Sequence, residues 1–248
     1  MKMNCALILT CTIDPRGIRF LVRNNINDRL NDYKESFDFY FNNEKIKKII
    51  IIENSGYSVN FIKSLKNFKN KDKNIEIIST KINNYYDRSL GKGYGEYLNL
   101  KTIFHRSKIA KKTKFFIHVS GRYKILNFSR IVSEIESKNP EIYLNLKDNL
   151  RYGDTTIYAG TKKFFLNYLI PNAKKTNDFK KNYFEHCASR AALISIADGM
   201  KFINPSIYPI VNGFIGTNGK KFNYNFIKKI KLFFFSKIKS YILSNIRY

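Results

Sequence analysis

Three alternate glycines, a lysine and a glutamate stand together in Gly91-Lys92-Gly93-Tyr94-Gly95-Glu96, and Ser120-Gly121-Arg122-Tyr123 closes the next apolar run. Glycine lets a backbone approach a ligand closely. The residues after Gly95 repeat with helical spacing, and a helix N-terminus turns free N–H groups and a partial positive charge toward anions. Lys92 and Arg122 would add full charges. Together these residues describe a pocket for a phosphorylated ligand. The stretch lacks the Gly-Lys-Ser/Thr ending of a P-loop, and its glycines do not match the dinucleotide fingerprint. Taken alone it also reads as a flexible turn before a helix.

The elements that must position these residues alternate. Residues 4–13 form a continuous apolar run, as a parallel strand buried on both faces would, and Asp14-Pro15-Arg16-Gly17 ends it. From Ile26, the positions Leu30, Tyr33, Phe37 and Tyr40 step by three or four, which marks an amphipathic helix capped by Asn27 or Asp28 and stopped at Asn42-Asn43. Strands are expected at 48–52, 74–80 and 115–119, with helices over 59–68 and from Gly95 to about Ala110. This β-α-β-α-β-α-β order predicts a mostly parallel, Rossmann-like sheet with helices on both faces. Ligands bind beyond the carboxyl ends of such strands. Those ends carry Thr10, Thr12 and Arg16; Glu53, Asn54, Ser55 and Gly56; and Ser120, Gly121 and Arg122, which would converge on one edge.

The second half is more mixed. A strand is expected at 142–146, a polar loop at 151–156 containing Asp154, and a helix over 162–169 broken by Pro171. A second helix at 182–197 places Phe184, Cys187, Ala191 and Ile194 on one face, and short strands follow over 202–216. Without repeats or low-complexity linkers, residues 1–221 read as one domain and residues 222–248 as a basic amphipathic tail.

The chain has 248 residues, with 45 Lys+Arg against 19 Asp+Glu and a formal charge of +26. Such a balance favours nucleic acid, anionic membrane or phosphorylated substrates as partners. The abundance of Lys, Asn and Ile, as in AT-rich genomes, accounts for part of the excess. Cys5, Cys11 and Cys187 form no CxxC pair, which fits a reducing compartment. His105, His118 and His186 show no metal-ligand spacing. The run from Ala6 to Ile13 is short, carries two threonines and lacks a cleavage site, so it reads as a strand and not as a signal peptide.

In its order of motifs — the strand ending at Thr12, the Glu53-Asn54-Ser55-Gly56 strand end, GKGYGEY at 91–97 and HVSGRYKI at 118–125 — the chain resembles bacterial glycosyltransferases of O-antigen, capsule and lipooligosaccharide gene clusters. The resemblance covers about residues 5–200 and implies a GT-A-like, nucleotide-sugar-binding fold that transfers a sugar from an activated donor. It implies donor contacts from Thr10, Thr12, Arg16, Glu53, Asn54, Ser55, Lys92, Gly93, Gly95, Glu96, Ser120, Gly121 and Arg122. Metal-dependent GT-A enzymes usually carry Asp-x-Asp at the end of the central strand. Ser120-Gly121-Arg122 holds that place here, and no Asp-x-Asp occurs in the chain. A bound Mg²⁺ or Mn²⁺ is therefore unsupported, and Arg122 and Lys92 could neutralise the donor phosphates instead.

Sugar transfer with inversion needs a base for the acceptor proton. Glu185, Asp154 and His186 are the catalytic candidates, and Glu96 is a further carboxylate in reach of the glycine stretch. After Asp198 no acidic residue occurs, while nine Lys/Arg do, and the tail interleaves lysines with Phe, Ile and Tyr. Such a tail suits an anionic membrane interface near a lipid-linked acceptor. The expected location is cytoplasmic, with a peripheral seat on the inner membrane face. A nucleic-acid-binding protein or nuclease is the alternative that the charge allows. No nucleic-acid-binding motif is present, and no nucleic-acid partner is expected.

Overall fold

The computed structural model describes residues 3–18, 21–69, 72–224 and 226–245. Strand β1 (Cys5–Cys11) lies at the middle of the main sheet and is buried along its whole length. It pairs in parallel with β2 (Lys48–Glu53) on one side and with β4 (Phe115–Ser120) on the other. Beyond β2 runs β3 (Asn74–Ser79), also parallel. Beyond β4 the direction reverses: β7 (Tyr152–Thr161) is antiparallel to both β4 and β6 (Ile142–Lys147), and β8 (Phe202–Ile203) closes the far edge. The seven strands run β3-β2-β1-β4-β7-β6-β8. This is the mostly parallel α/β sheet expected from the sequence. A two-stranded ribbon of β5 (Lys124–Ile125) and β9 (Val211–Asn212) sits apart.

The apolar runs are long because both faces of the sheet are covered. Alternate side chains point to opposite faces. Leu7, Leu9, Ile49, Ile51, Ile117 and Val119 pack beneath α1 (Ile26–Phe41) and α5 (Phe128–Lys138). Ala6, Ile8, Ile50, Ile52 and Phe116 face the other way, onto α3 (Lys92–Arg106), α6 (Ile170–Ala173) and α7 (Phe184–Ala197). The site inherits this division, because α1 and the α3/α7 pair approach the strand ends from opposite faces.

Several local expectations change. Asn25, not Asn27 or Asp28, caps α1, its side chain accepting the Asp28 N–H. Helix α2 shrinks to Asn60–Lys63. The helix expected from Gly95 instead starts at Lys92, so Gly93 and Gly95 lie in its first turns, and it stops at Arg106. There the Ser107 side chain caps a separate short helix, α4 (Lys108–Lys111). Residues 152–156 are no loop: they form the first half of β7, paired with β6. Pro171 does not break its helix. A widened turn over Phe164–Leu169, closed by the Ile170 N–H on the Phe165 carbonyl, leads into α6. Pro171 then stands in the first turn of α6, where a missing N–H costs little. Ile194 is 43% exposed and off the packed face of α7.

Helix α8 (Phe226–Asn245) docks by one face. The Ser240 hydroxyl donates to the Asn204 carbonyl at 2.8 Å, and the Lys239 ammonium reaches Asn145 Oδ1 at 3.1 Å and the Leu146 carbonyl.

Candidate functional site

At the carboxyl ends of β1, β2 and β4 the chain leaves a cleft of about 250 Å³. Its position follows from the topology, since helices from both faces bring their early turns to the strand ends there. A larger hollow of about 1180 Å³ separates α5 from α8, but its walls are mainly apolar and serine side chains far from the strand ends. The smaller cleft carries the convergent polar groups.

One wall is basic. Arg29 and Tyr33 on α1 line it together with Arg122, which follows β4. Both guanidiniums are buried, at 4% and 7% exposure. The hydrogen bonds of Arg29 go to neutral oxygens: the Thr12 carbonyl at 2.7 Å from Nε and the Arg23 carbonyl at 3.0 Å from Nη1. Burial foremost lowers the pKa of Arg29 from its ordinary value. Arg122 approaches Asp32 at 3.6 Å and donates to the Phe214 carbonyl at 3.3 Å. The same Asp32 carboxylate already takes Arg23 at 2.7 Å. Arg23 also reaches the exposed Asp28 at 3.3 Å, so Arg29 and Arg122 are left with only a shared or distant carboxylate, and this wall keeps an excess of buried positive charge. Lys92, at the start of α3, adds another cation to the lining.

The opposite wall is acidic. Glu96 on α3 and Glu185 on α7 line it, with Thr155 and Thr156 of β7 between them. Glu185 accepts from the Thr155 hydroxyl at 3.3 Å and from the Tyr152 hydroxyl. Behind Glu96 lies His118 of β4, which is 2% exposed. Its Nε2 stands 2.6 Å from Glu96 Oε1, off the line of a hydrogen bond. Tyr158 of β7 stacks on the imidazole with ring centres 4.6 Å apart. A chain of amides joins the two walls along the floor. The Thr12 hydroxyl donates to Asn54 at 2.7 Å, Asn54 donates to Asn99 at 3.0 Å, and Asn99 reaches Glu96 Oε2 at 3.5 Å.

Of the residues expected at the site, the structure brings together Thr10, Thr12, Asn54, Lys92, Gly93, Gly95, Glu96, Ser120, Arg122 and Glu185. The others stand elsewhere. The Arg16 side chain is 81% exposed and pairs with Asp14. Glu53 is fully buried and ties the turn after β2, accepting from the Ser55 and Tyr57 amides at 3.0 and 3.1 Å, from the Ile13 amide and from the Ser55 hydroxyl. Gly121 packs against β1: a Cβ there would meet the Thr10 carbonyl oxygen at 2.4 Å. Asp154 is paired with Lys147. Burial alone would raise the Asp154 carboxyl, but Lys147 and hydrogen bonds from Thr156 hold it below the usual range, which makes it a poor proton acceptor. His186 contacts the Lys181 carbonyl at 3.1 Å in a separate surface hollow.

The amide of Gly93 is not open to a ligand in this state. It donates to Asp178 Oδ2 at 3.1 Å, so a carboxylate of the chain itself meets the positive end of α3. Gly91, with φ of +86°, lets the chain turn there, and a Cβ would strike Asp178 at 2.4 Å. Arg29, Tyr33, Asn99, His118 and Asp178 are site residues that the sequence reading did not select. His118 carried a signal, as the one charged-capable residue inside the apolar run Phe115–Val119. Arg29 carried another, as a cation beside the apolar stripe of α1.

Among the described residues no three His, Cys, Asp or Glu side chains stand together as metal ligands. A cation, Arg122, occupies the strand end where the resemblance would place an acidic metal site. The residues at that place do not fit a divalent ion.

No family model and no curated protein sequence matches the chain. Solved structures do. The bifunctional glycosyltransferase WbbM superposes with a TM-score of 0.50 at 10% identity, over 96% of this chain and 45% of that one. Core-mannan synthase A (CmsA/Ktr4) from Aspergillus fumigatus, in its Mn/GDP form, gives 0.45 at 10% identity over 96% and 85%. A nucleoside-diphosphate-sugar pyrophosphorylase from Vibrio cholerae RC9 gives 0.47 at 12% identity over 80% and 90%. At 10% identity the likeness to WbbM bears on the fold alone, a Rossmann-like α/β sheet.

Proposed function

We propose that the chain is a glycosyltransferase that moves a sugar from a nucleotide-activated donor to a saccharide or lipid-linked acceptor in cell-surface polysaccharide synthesis. The observation that carries this reading is the pair of buried guanidiniums, Arg29 and Arg122, beside the Asp32 carboxylate that Arg23 already takes at shorter range. Buried charge without a full partner is costly, and a diphosphate would supply the missing counter-charge. The leaving diphosphate departs with the electron pair of the broken sugar–oxygen bond, and Arg122, Arg29 and Lys92 are placed to stabilise it. Thr10, Thr12, Asn54 and Ser120 supply neutral hydrogen-bonding groups along the floor. A carboxylate of the acidic wall takes the acceptor proton.

The chain would act at a membrane surface. No helix among the described residues is long and apolar enough to cross a bilayer. Helix α8 nevertheless exposes Phe233, Phe234, Phe235 and Ile238 at 47–61% beside lysines, as a peripheral anchor on an anionic leaflet would.

A thermal-shift screen against nucleoside diphosphates and nucleotide sugars, with and without Mg²⁺ or Mn²⁺, tests the reading. A ligand at a hundred times its dissociation constant adds about 2.7 kcal/mol of stability. Melting curves unmoved by any nucleotide, but moved by random oligonucleotides, would favour the nucleic-acid alternative.

A further inference from the structure

Four buried polar atoms without a hydrogen-bond partner among the described residues fall in one place: Glu96 Oε1, both ring nitrogens of His118 and the Tyr158 hydroxyl. Buried polar groups are nearly always satisfied, so a cluster of exceptions calls for a cause. A histidine that serves only packing is ordinarily locked by a carbonyl or carboxylate on one ring nitrogen. His118 is locked on neither. The residues come from three elements, α3, β4 and β7, and the sheet register sets His118 directly opposite Tyr158. The cluster is therefore specified by the fold and is no accident of one loop.

We infer that Glu96 is the proton acceptor of the transfer reaction and that His118 positions its carboxylate. This assignment rests on the glycosyltransferase reading. Oε1 is buried against the imidazole, which leaves Oε2 as the oxygen that the cleft can reach. Turned into line, a proton on Nε2 donates to Oε1 across the 2.6 Å gap and fixes the carboxyl rotamer. In the transfer step the acceptor oxygen forms its bond to the sugar carbon as the bond from that carbon to the diphosphate oxygen breaks. The diphosphate leaves with the electron pair toward the basic wall, and the acceptor proton passes to Glu96 Oε2. Water receives that proton after product release.

Glu185 lines the same wall but suits this role less. It already accepts hydrogen bonds from Thr155 and Tyr152, which hold its carboxylate against β7. The groups facing the pair are Asn99 of α3, Tyr158 of β7 and Glu185 of α7.

The test compares the full chain with Glu96→Gln, His118→Gln, His118→Phe and Glu185→Gln. Nucleoside diphosphate binding is read by thermal shift with UDP, GDP, CDP and TDP, and turnover by nucleoside diphosphate release from the corresponding nucleotide sugars. Glu96→Gln should bind nucleotide as the wild type does and lose turnover by about a hundredfold or more. His118→Gln, which can still offer an N–H, should keep part of the activity, and His118→Phe should fall as far as Glu96→Gln. In the unliganded protein, the His118 ring ¹⁵N resonances should move on Glu96→Gln. Full turnover in Glu96→Gln, loss confined to Glu185→Gln, or unmoved ¹⁵N resonances overturns the assignment and leaves the transferase reading intact. A nucleotide screen blank in every variant and in the wild type overturns both.

Discussion

Arg122 is held for a reason that its neighbours do not fully explain. Its guanidinium meets one carboxylate at 3.6 Å and one carbonyl at 3.3 Å, and Arg23 already engages that carboxylate at shorter range. A phosphate would complete its coordination. Arg122→Ala is expected to weaken nucleoside diphosphate binding by about ten- to a hundredfold, as loss of a hydrogen bond to a charged group does. Arg122→Lys should recover part of this, because charge is kept while the planar fork is lost. Isothermal titration with the nucleotide that scores in the screen reads the effect, and a melting curve of the free variant separates it from misfolding. Unchanged affinity in the alanine variant would remove Arg122 from the site. Arg122 was legible in the sequence because a charge directly after an apolar strand has few places to go. Arg29 was not legible: its role depends on α1 folding back onto the end of β1, a contact between residues far apart in the chain. The same limit applies to Asp178, which reaches the start of α3 only through the tertiary fold. Asp154 was misread because its partner, Lys147, sits on the neighbouring strand, which pattern alone does not pair with it.

Elements with strong periodicity or long apolar runs were legible from sequence, and the weak ones were set by contacts. Strands β1 to β4 and helix α1 announce themselves by apolar pattern. Helix α2 and the break at Ser107 depend on partners elsewhere, such as Glu76, whose carboxylate receives the Ser107 hydroxyl and the Lys108 and Ile109 amides. Helix α5 shows how such a contact can be tested. Its Glu134 is 6% exposed, yet it accepts from Lys138 at 2.7 Å, Tyr143 at 2.6 Å and the Ser206 amide at 3.0 Å. These bonds tie α5 to β6 and to the segment before β9. Burial alone would raise the Glu134 carboxyl, but the hydrogen bonds outweigh it, and the value lies below the ordinary 4.5. A carboxylate with a depressed folded-state pKa stabilises the fold above its unfolded value, and this stabilisation is lost as pH falls through the folded value. Glu134→Gln should therefore cost about 2–3 kcal/mol near neutrality. The difference from the wild type should shrink as pH drops below about 4.5. Melting temperatures of both proteins between neutral pH and acid check this, and a gap that stays constant would show that Glu134 is not charged in the fold.

For the molecule as a whole, the chain's +26 formal charge and the placement of α8 act together. The sequence suggests that residues 222–248 lie on a membrane; the structure shows α8 docked on the domain by one face. Lys239 and Ser240 dock it near β6, while Phe234, Phe235 and Ile238 stay more than half exposed. Deleting the tail would therefore disturb the docked face as well and confuse the two. Replacing Phe234, Phe235 and Ile238 with serine leaves the docking contacts in place, so the melting temperature should hardly change. Each of these side chains, inserted fully into an interface, contributes about 1.5–3 kcal/mol, and each lysine near an anionic leaflet about 1 kcal/mol. Seven apolar residues between Phe226 and Phe235 are too few to span a bilayer but enough to lie in its surface. Wild-type protein should co-sediment with vesicles in proportion to their anionic lipid and less as salt rises, because screening weakens the lysine contribution. The triple-serine protein should lose most of this binding at moderate salt. Equal sedimentation of the two proteins would mean that the basic surface alone attracts the membrane and that the apolar face of α8 serves another purpose.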